Sequence, residues 1–341
     1  MQRFLEWSPH LQFNSIRDAA AVIREAWREN QRALIKRLQD VPSILGLYGL
    51  RTMSVLTQAL PLDVSYRVAT VVADVVFVVW RSGRHDTMTN LRHVLGPDAP
   101  AEQVQATARQ AMRNYFRMLA EFLSLRKLTR AEVLARVREV RGMEYVEQAL
   151  ARNQGVILVG VHHGSWDIAA VVATSYGWPI TAVADTYRYP PLNEWVFAPR
   201  EAWGIRVIPV REPRSLRQVF KVLKRNEVLA LVIDRPMNGE GIPVRFFDAD
   251  LSFPQGAAAI ALRTGATIIP GYFARQPDDT FVAELLPPVD YAPCGDRQQD
   301  VQSLTQAIVT RLEEVIRRHP EQWYAFKLLW DEDCRTVERW A

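Results

Sequence analysis

His162 and Asp167 stand five positions apart in the stretch GVILVGVHHGSWDIAAVVATSY, residues 155–176, where an apolar run passes straight into an imidazole and then a carboxylate. A neutral imidazole can take a proton from a weak nucleophile near neutral pH. A carboxylate on its other ring nitrogen fixes the tautomer and stabilises the imidazolium that forms. The residue types and spacing therefore predict a general base, His162, with Asp167 as its orienting acid. Side chains five apart on one regular helix point in different directions, so the pairing requires a turn between them. Gly164 allows such a turn, and Ser165 is a favourable N-cap for the segment that follows. Asp167 would then sit in a first helical turn, where the helix dipole favours a carboxylate.

The elements that must position this pair are legible as periodicities. Residues 155–161 are Val- and Ile-rich, lack alternation and are too short for a helix, which predicts a strand covered on both faces, with His162 at its carboxyl end. Further strands are expected at Ile180–Ala184, Arg206–Val210, Val228–Ile233 and Thr267–Phe273, separated by helices at Ile168–Tyr176, Glu194–Trp203, Ser215–Lys224 and Gly256–Thr264. Such alternation predicts an α/β fold with a mostly parallel sheet sandwiched by helices and a site at the carboxyl ends of its strands. Helical spacing also runs through Ile16–Leu38, Ile44–Leu60, Ala101–Leu125 and Thr129–Arg141. We divide the chain into a helical N-terminal region, residues 1–60, suited to a membrane surface, and an α/β domain, residues 61–341. The Pro- and Gly-bearing segments Pro236–Pro243 and Pro287–Gly295 read as loops.

The hexapeptide HHGSWD resembles the His-x4-Asp motif of the glycerolipid acyltransferases, and in particular its form in the lipid A late acyltransferases and the related phosphatidylinositol mannoside acyltransferases. Other blocks follow in that family's order: Asn90-Leu91-Arg92 with a helical stretch ending near Glu121, then Arg200 with Trp203-Gly204-Ile205-Arg206, then Ile233-Asp234-Arg235. Val244-Arg245-Phe246-Phe247, Gly256-Ala257-Ala258 and Ile268-Ile269-Pro270 complete the series, so the resemblance extends from Leu50 to Leu329. Ser165 stands where the family usually has Asn, Asp167 where the lipid A branch commonly has Glu, and Asp248 where a Gly often follows the two Phe. Phe253-Pro254-Gln255-Gly256 is similar to the superfamily's Phe-Pro-Glu-Gly block, with Gln for Glu.

The resemblance implies a glycerolipid acyltransferase-like α/β fold and transfer of a fatty acyl chain from acyl carrier protein or acyl-CoA to a hydroxyl of a membrane glycolipid, of the lipid A precursor or mannosylated phosphatidylinositol type. It implies His162 and Asp167 as the catalytic pair, and substrate contacts from Gly164, Ser165, Arg200, Arg206, Asp234, Arg235, Phe246 and Phe247, with no cofactor or metal. The backbone N–H groups of Gly164 to Trp166, or Arg200, are the candidate donors to the thioester oxygen. A lipid-binding or thioester-hydrolysing protein on the same fold is the alternative. The place implied is the cytoplasmic face of the cytoplasmic membrane, peripheral or interfacial.

Composition bounds these readings. The chain has 341 residues, 48% of them hydrophobic, enough to bury a large core. Its two cysteines, Cys294 and Cys334, form no bridge framework and no metal spacing. Adjacent histidines such as His162 and His163 do not converge easily on one tetrahedral ion, and Ser165 lacks a nucleophile-elbow context. His163 is expected to pack or to touch substrate. The net charge is only +4, but Arg200, Arg206, Arg211, Arg214, Arg217, Lys221, Lys224 and Arg225 cluster. That cluster is either a face toward anionic headgroups or carrier phosphates, or a solvated helix face. No nucleic-acid-binding signature accompanies it. Val68–Trp80 is too short to span a bilayer and contains Asp74, so it is either an interfacial helix, flanked by Arg67, Arg81 and Arg84, or a core helix. The first residues show no secretory leader pattern. Asp234 and Arg235 end an apolar run, where they either pair structurally or contact substrate. Phe246, Phe247 and Phe253 either line an acyl groove or fill the core.

Overall fold

The computed structural model describes residues 40–210, 212–235 and 241–330. The helical spacing at Ile16–Leu38, the Arg211 member of the basic cluster, most of the Pro236–Pro243 loop and Cys334 lie outside those residues. Four helices come first: α1 over residues 40–59, α2 Leu62–Val79, α3 Arg81–Leu95 and α4 Ala101–Ser124. Then follow α5 Arg130–Ala135, β1 Val137–Arg141, α6 Met143–Ala151, β2 Val156–Gly160, α7 Trp166–Ser175, β3 Ile180–Ala184, α8 Pro190–Ala202 and β4 Arg206–Pro209. The remainder comprises α9 Ser215–Lys224, β5 Val228–Val232, β6 Gly241–Phe246, β7 Ala249–Pro254, α10 Gly256–Thr264, β8 Thr267–Arg275, β9 Phe281–Leu285, α11 Arg297–Arg318 and a 3-10 turn Pro320–Gln322.

Seven strands form one sheet in the order β1-β9-β8-β2-β5-β3-β4, and β6 and β7 form a separate antiparallel hairpin. Every neighbouring pair in the large sheet is parallel except β8 and β9. Central β2 shows why an apolar run without alternation reads as a doubly covered strand. Its Ile157 and Val159 enter one core with α9, α10, α11 and the hairpin, while Val156 enters the other with α5, α6 and α7. The same division recurs in β5 at Leu229 and Val228, and in β8 at Ile268 and Ile269. The chain leaves β2 to build β3 and β4, then returns to insert β5 directly beside β2. This makes the carboxyl end of β2 a point where strand order reverses, the usual ligand crevice of open α/β sheets.

The segment Thr129–Arg141 differs from its helical expectation. Thr129 does start a helix, with a capping box to Glu132, but α5 stops at Ala135 and β1 begins at Val137. Strand β1 is an edge strand whose partner β9 lies far along the chain, so its pairing leaves no local periodic trace. The hairpin β6–β7 and helix α11 are likewise elements that periodicity did not bring out.

Helix α2, which carries Val68–Val79, has two unlike faces. Tyr66, Ala69, Ala73 and Phe77 are buried, while Val64, Val68, Val71, Val75 and Val78 form an exposed apolar stripe that ends at Val79 and Trp80. Helix α1 adds exposed Leu45, Tyr48, Val55 and Leu56. Among the described residues, no helix is long and apolar enough to cross a membrane.

Candidate functional site

Strands β2 and β5 are adjacent and in register, with Gly160 opposite Val232, and Ile233 donates its backbone N–H to the Gly160 carbonyl at 3.0 Å. Continuing that register by two residues places His162 opposite Asp234. The Asp234 carboxylate accepts from three donors. The His162 ring pairs through Nδ1 with Oδ1 at 2.6 Å, the His162 backbone N–H reaches Oδ2 at 3.0 Å, and the Trp323 indole Nε1 reaches Oδ2 at 2.9 Å. Asp234 is 3% exposed. Burial alone would push its pKa up, but the attraction and hydrogen bonds of His162, with the Trp323 donor, hold it below the ordinary value. The His162 Nε2 has no hydrogen-bond partner among the described residues, and the side chain is 19% exposed beside the edge of the Trp166 ring. Trp323 also closes the site from behind. Residues 322–324 run antiparallel to 162–164, with Gly164 N–H donating to the Gln322 carbonyl at 3.0 Å and Tyr324 N–H to the His162 carbonyl at 2.9 Å.

The turn after His163 is the one expected, but it aims Asp167 elsewhere. Gly164 has φ +58°, and a Cβ there would lie 1.7 Å from the Phe273 carbonyl oxygen, so only glycine fits. Ser165 occupies the N-cap position of α7 without capping it. Its Oγ instead donates to Glu121 Oε2 at 2.5 Å. Asp167 lies in the first turn of α7 and faces α8, where Arg200 grips both oxygens, Nε to Oδ1 at 2.6 Å and Nη2 to Oδ2 at 3.1 Å. The expected His162–Asp167 hydrogen bond is therefore replaced by two pairs. Asp234 holds the imidazole, and Asp167 holds a guanidinium that is 16% exposed and lies over the Phe122 ring. Burial works against the charge on Arg200, whereas Asp167 raises its pKa.

The other residues expected at the site fall into distinct places. Arg235 is exposed just beyond Asp234, and its charge acts on the hydroxyl of half-buried Tyr115. Arg206 begins β4, at the end of the sheet opposite to His162, where it bonds Thr181 Oγ1 at 3.1 Å and pairs with Glu227. There it lines an open cavity of about 470 Å³ with Glu201, Lys221 and Arg225. Phe246 and Phe253 are fully buried core residues. Phe246 packs against Trp330 and Trp323 and so buttresses the indole that donates to Asp234. Phe247 is half-buried, with φ +55° and its N–H bonded to Glu313 at 2.7 Å. His163 is buried, bonds the His319 carbonyl through Nε2 at 3.1 Å, and leaves Nδ1 without a partner. Burial, with His319 nearby, pushes its pKa down to about 4.

Trp323 and Glu121 are the site residues that the motif did not identify. Trp323 lies in no periodic element, directly after the 3-10 turn Pro320–Gln322, and no local pattern in the sequence marks it.

The profile of the bacterial lipid A biosynthesis acyltransferase family matches residues 36–332. The chain is 26% identical over 261 residues to the phosphatidylinositol mannoside acyltransferase of Mycobacterium tuberculosis (strain ATCC 25618 / H37Rv), covering 75% of this chain and 80% of that protein. It is 27% identical over 262 residues to the protein of the same description from Mycolicibacterium smegmatis (strain ATCC 700084 / mc(2)155), covering 75% and 83% respectively. To the lipid A biosynthesis lauroyltransferase of Escherichia coli (strain K12) it is 26% identical over 198 residues, covering 56% and 60%.

Two outcomes follow from this geometry. Asp167→Asn leaves Arg200 buried without its counter-charge and lowers unfolding free energy by about 3 kcal/mol, measured by urea denaturation. An unchanged midpoint would remove the pair from the fold's supports. For His163, the unfolded chain takes up a proton below about pH 6.5 while the folded side chain resists until about 4. Its contribution is full above that window and declines by up to about 1.4 kcal/mol per pH unit as pH falls through it. Stability curves of wild type and His163→Gln between pH 7 and 4 should therefore converge toward the acid end.

Proposed function

This chain belongs to the bacterial lipid A biosynthesis acyltransferase family, and we propose that it transfers a fatty acyl chain from a thioester, carried on acyl carrier protein or coenzyme A, to a hydroxyl of a membrane glycolipid of the lipid A precursor or mannosylated phosphatidylinositol type. The observation that carries the mechanism is the chain from His162 through Asp234 to Trp323. Nδ1–H bonded to a buried carboxylate leaves Nε2 as the basic nitrogen, and Nε2 is the one without a partner among the described residues. As the acceptor hydroxyl oxygen attacks the thioester carbonyl carbon, its proton passes to Nε2. The tetrahedral adduct then collapses, the carbon–sulfur bond breaks, and the Nε2 proton goes to the departing thiolate, leaving an ester and a free thiol. Asp234 keeps the ring in the correct tautomer and compensates the imidazolium charge between the two proton transfers.

In this reading Asp167 is a positioning residue. By clamping Arg200 it ties the first turn of α7 to α8 and fixes the wall beside the base. The backbone N–H groups of Gly164 and Ser165 are spent on the Gln322 and Phe273 carbonyls, and Arg200 gives two nitrogens to Asp167. The amide of Trp166, at a helix start left uncapped by Ser165, thus becomes the foremost candidate donor to the developing oxyanion.

An amphiphilic acceptor calls for an enzyme at the lipid surface. The valine stripe of α2, with α1 beside it in sequence and Trp80 at its end, supplies the apolar face of a helix lying in the interface. With a thioester donor, the reading places the protein peripherally on the cytoplasmic face of the cytoplasmic membrane.

Radiolabelled acyl thioester supplied with a membrane glycolipid extract should give a labelled lipid that His162→Ala abolishes. Label appearing only as free fatty acid would establish hydrolysis and overturn the transferase reading. Asp234→Asn should lower kcat by roughly 10³- to 10⁴-fold with the fold retained, whereas Asp167→Asn should act chiefly on stability. Replacing Val71, Val75 and Val78 together by Ser removes about 1 kcal/mol of apolar transfer each, which weakens partition onto lipid vesicles by about two orders of magnitude. Co-sedimentation measures it, and equal binding by the triple variant would take α2 off the membrane.

A further inference from the structure

Behind the His162 turn lies a buried polar cluster that the transfer chemistry itself does not use. Glu121, on α4, is 1% exposed and its two carboxylate oxygens are divided between different elements. Oε2 accepts from Ser165 Oγ, while Oε1 accepts from Tyr66 Oη of α2 at 2.6 Å and from the Arg275 guanidinium of β8. Arg275 continues to Asp279 at 3.1 Å, Asp279 to Arg117 of α4 at 3.1 Å, and Arg117 to Thr70 of α2 at 3.0 Å. The backbone of Arg275 is fastened by both ends of the Gln322 amide, each at 2.8 Å, and Gln322 is the residue whose carbonyl holds Gly164.

We propose that Glu121 is the positioning residue of the His162 centre, setting the turn at Gly164-Ser165 through the Ser165 hydroxyl so that His162 and α7 meet the acyl group in a fixed geometry. This rests on the acyl-transfer reading and deepens it. An N-cap serine ordinarily turns its oxygen back onto the first amides of its own helix. Ser165 turns its hydroxyl away and donates it to a carboxylate on a helix outside the sheet's own crossovers. That arrangement takes a local contact from the helix start and exchanges it for a long-range one. Such an exchange sets a position rather than a helix. The buried charge of Glu121 has its counter-charge in Arg275, so the cluster is electrically closed and does not need to draw on the reacting groups. Because reacting atoms must be held to within a fraction of an ångström, loss of one anchor at the turn shows in the rate before it shows in binding.

The experiment compares wild type, Ser165→Ala, Ser165→Thr, Glu121→Gln and His162→Ala in the thioester-to-glycolipid assay, well below the melting temperature of the least stable variant. Ser165→Ala should lower kcat about tenfold with KM for donor and acceptor unchanged. Ser165→Thr, which keeps the hydroxyl, should restore most of the rate. In Glu121→Gln, whose amide oxygen can still accept, kcat should fall less than in Ser165→Ala despite a larger loss of thermal stability. If Ser165→Ala and Glu121→Gln keep the wild-type kcat, or their loss follows only the folded fraction, Glu121 is a structural ion-pair partner and the inference is overturned. Persistence of full transfer in His162→Ala would instead overturn the reading of the base itself.

Discussion

A carboxylate taken almost wholly out of water is the constraint around which this centre is built. Among the described residues Asp234 has no arginine or lysine side chain as a hydrogen-bond partner; its partners are a ring nitrogen, a backbone amide and an indole. Neutral donors can keep such a group ionised, but they leave it short of positive charge. The imidazole of His162 is the nearest group that can carry such a charge. The backbone bond from His162 to the same carboxylate ties the strand end to it as well, so ring orientation and main-chain position are set by one side chain. Trp323 makes the carboxylate's remaining bond and excludes water, and the aromatic stack of Phe246 and Trp330 holds Trp323 in place.

Most of the sheet was readable in advance because parallel strands buried on both faces are unbroken apolar runs. Residues Ile180–Ala184 of β3, Ser215–Lys224 of α9 and Gly256–Thr264 of α10 have the boundaries that periodicity predicts. Some exposed or half-exposed elements were not readable. Strand β1 carries alternating charges beside valines and looks like continued helix until β9 supplies its partner. His162 was visible as a candidate from its place at the end of β2, and Asp234 from its place after β5. Their meeting depends on β5 being inserted beside β2, a fact about strand order that no local pattern contains. Asp167 attracted the orienting role because it is near in sequence. The positive φ of Gly164 and the start of α7 send it toward Arg200, whose position on α8 again depends on tertiary packing.

The helical part before the sheet is joined to the centre rather than attached to its outside. Helix α2 presents valines outward while its inner face sends Tyr66 and Thr70 into the same polar cluster that holds the turn. Asp74, also on α2, is held by Arg109 and Arg113 of α4, which keeps its carboxyl well below the usual range despite the neighbouring apolar surface. A helix so fastened on one side can meet a lipid surface on the other without changing its attitude to the sheet.

The antiparallel strip formed by residues 322–324 against 162–164 has a consequence for how the protein comes into being. The sheet strands that carry His162 and Asp234 are synthesised well before Trp323, yet the indole bond and the two main-chain bonds that seal the crevice come from that late segment. A nascent chain can therefore assemble most of its sheet on the ribosome while its centre remains open to water and unbuttressed. The segment after α11 that closes over the ends of β2 and β5 follows Asp234 by 89 residues in the chain.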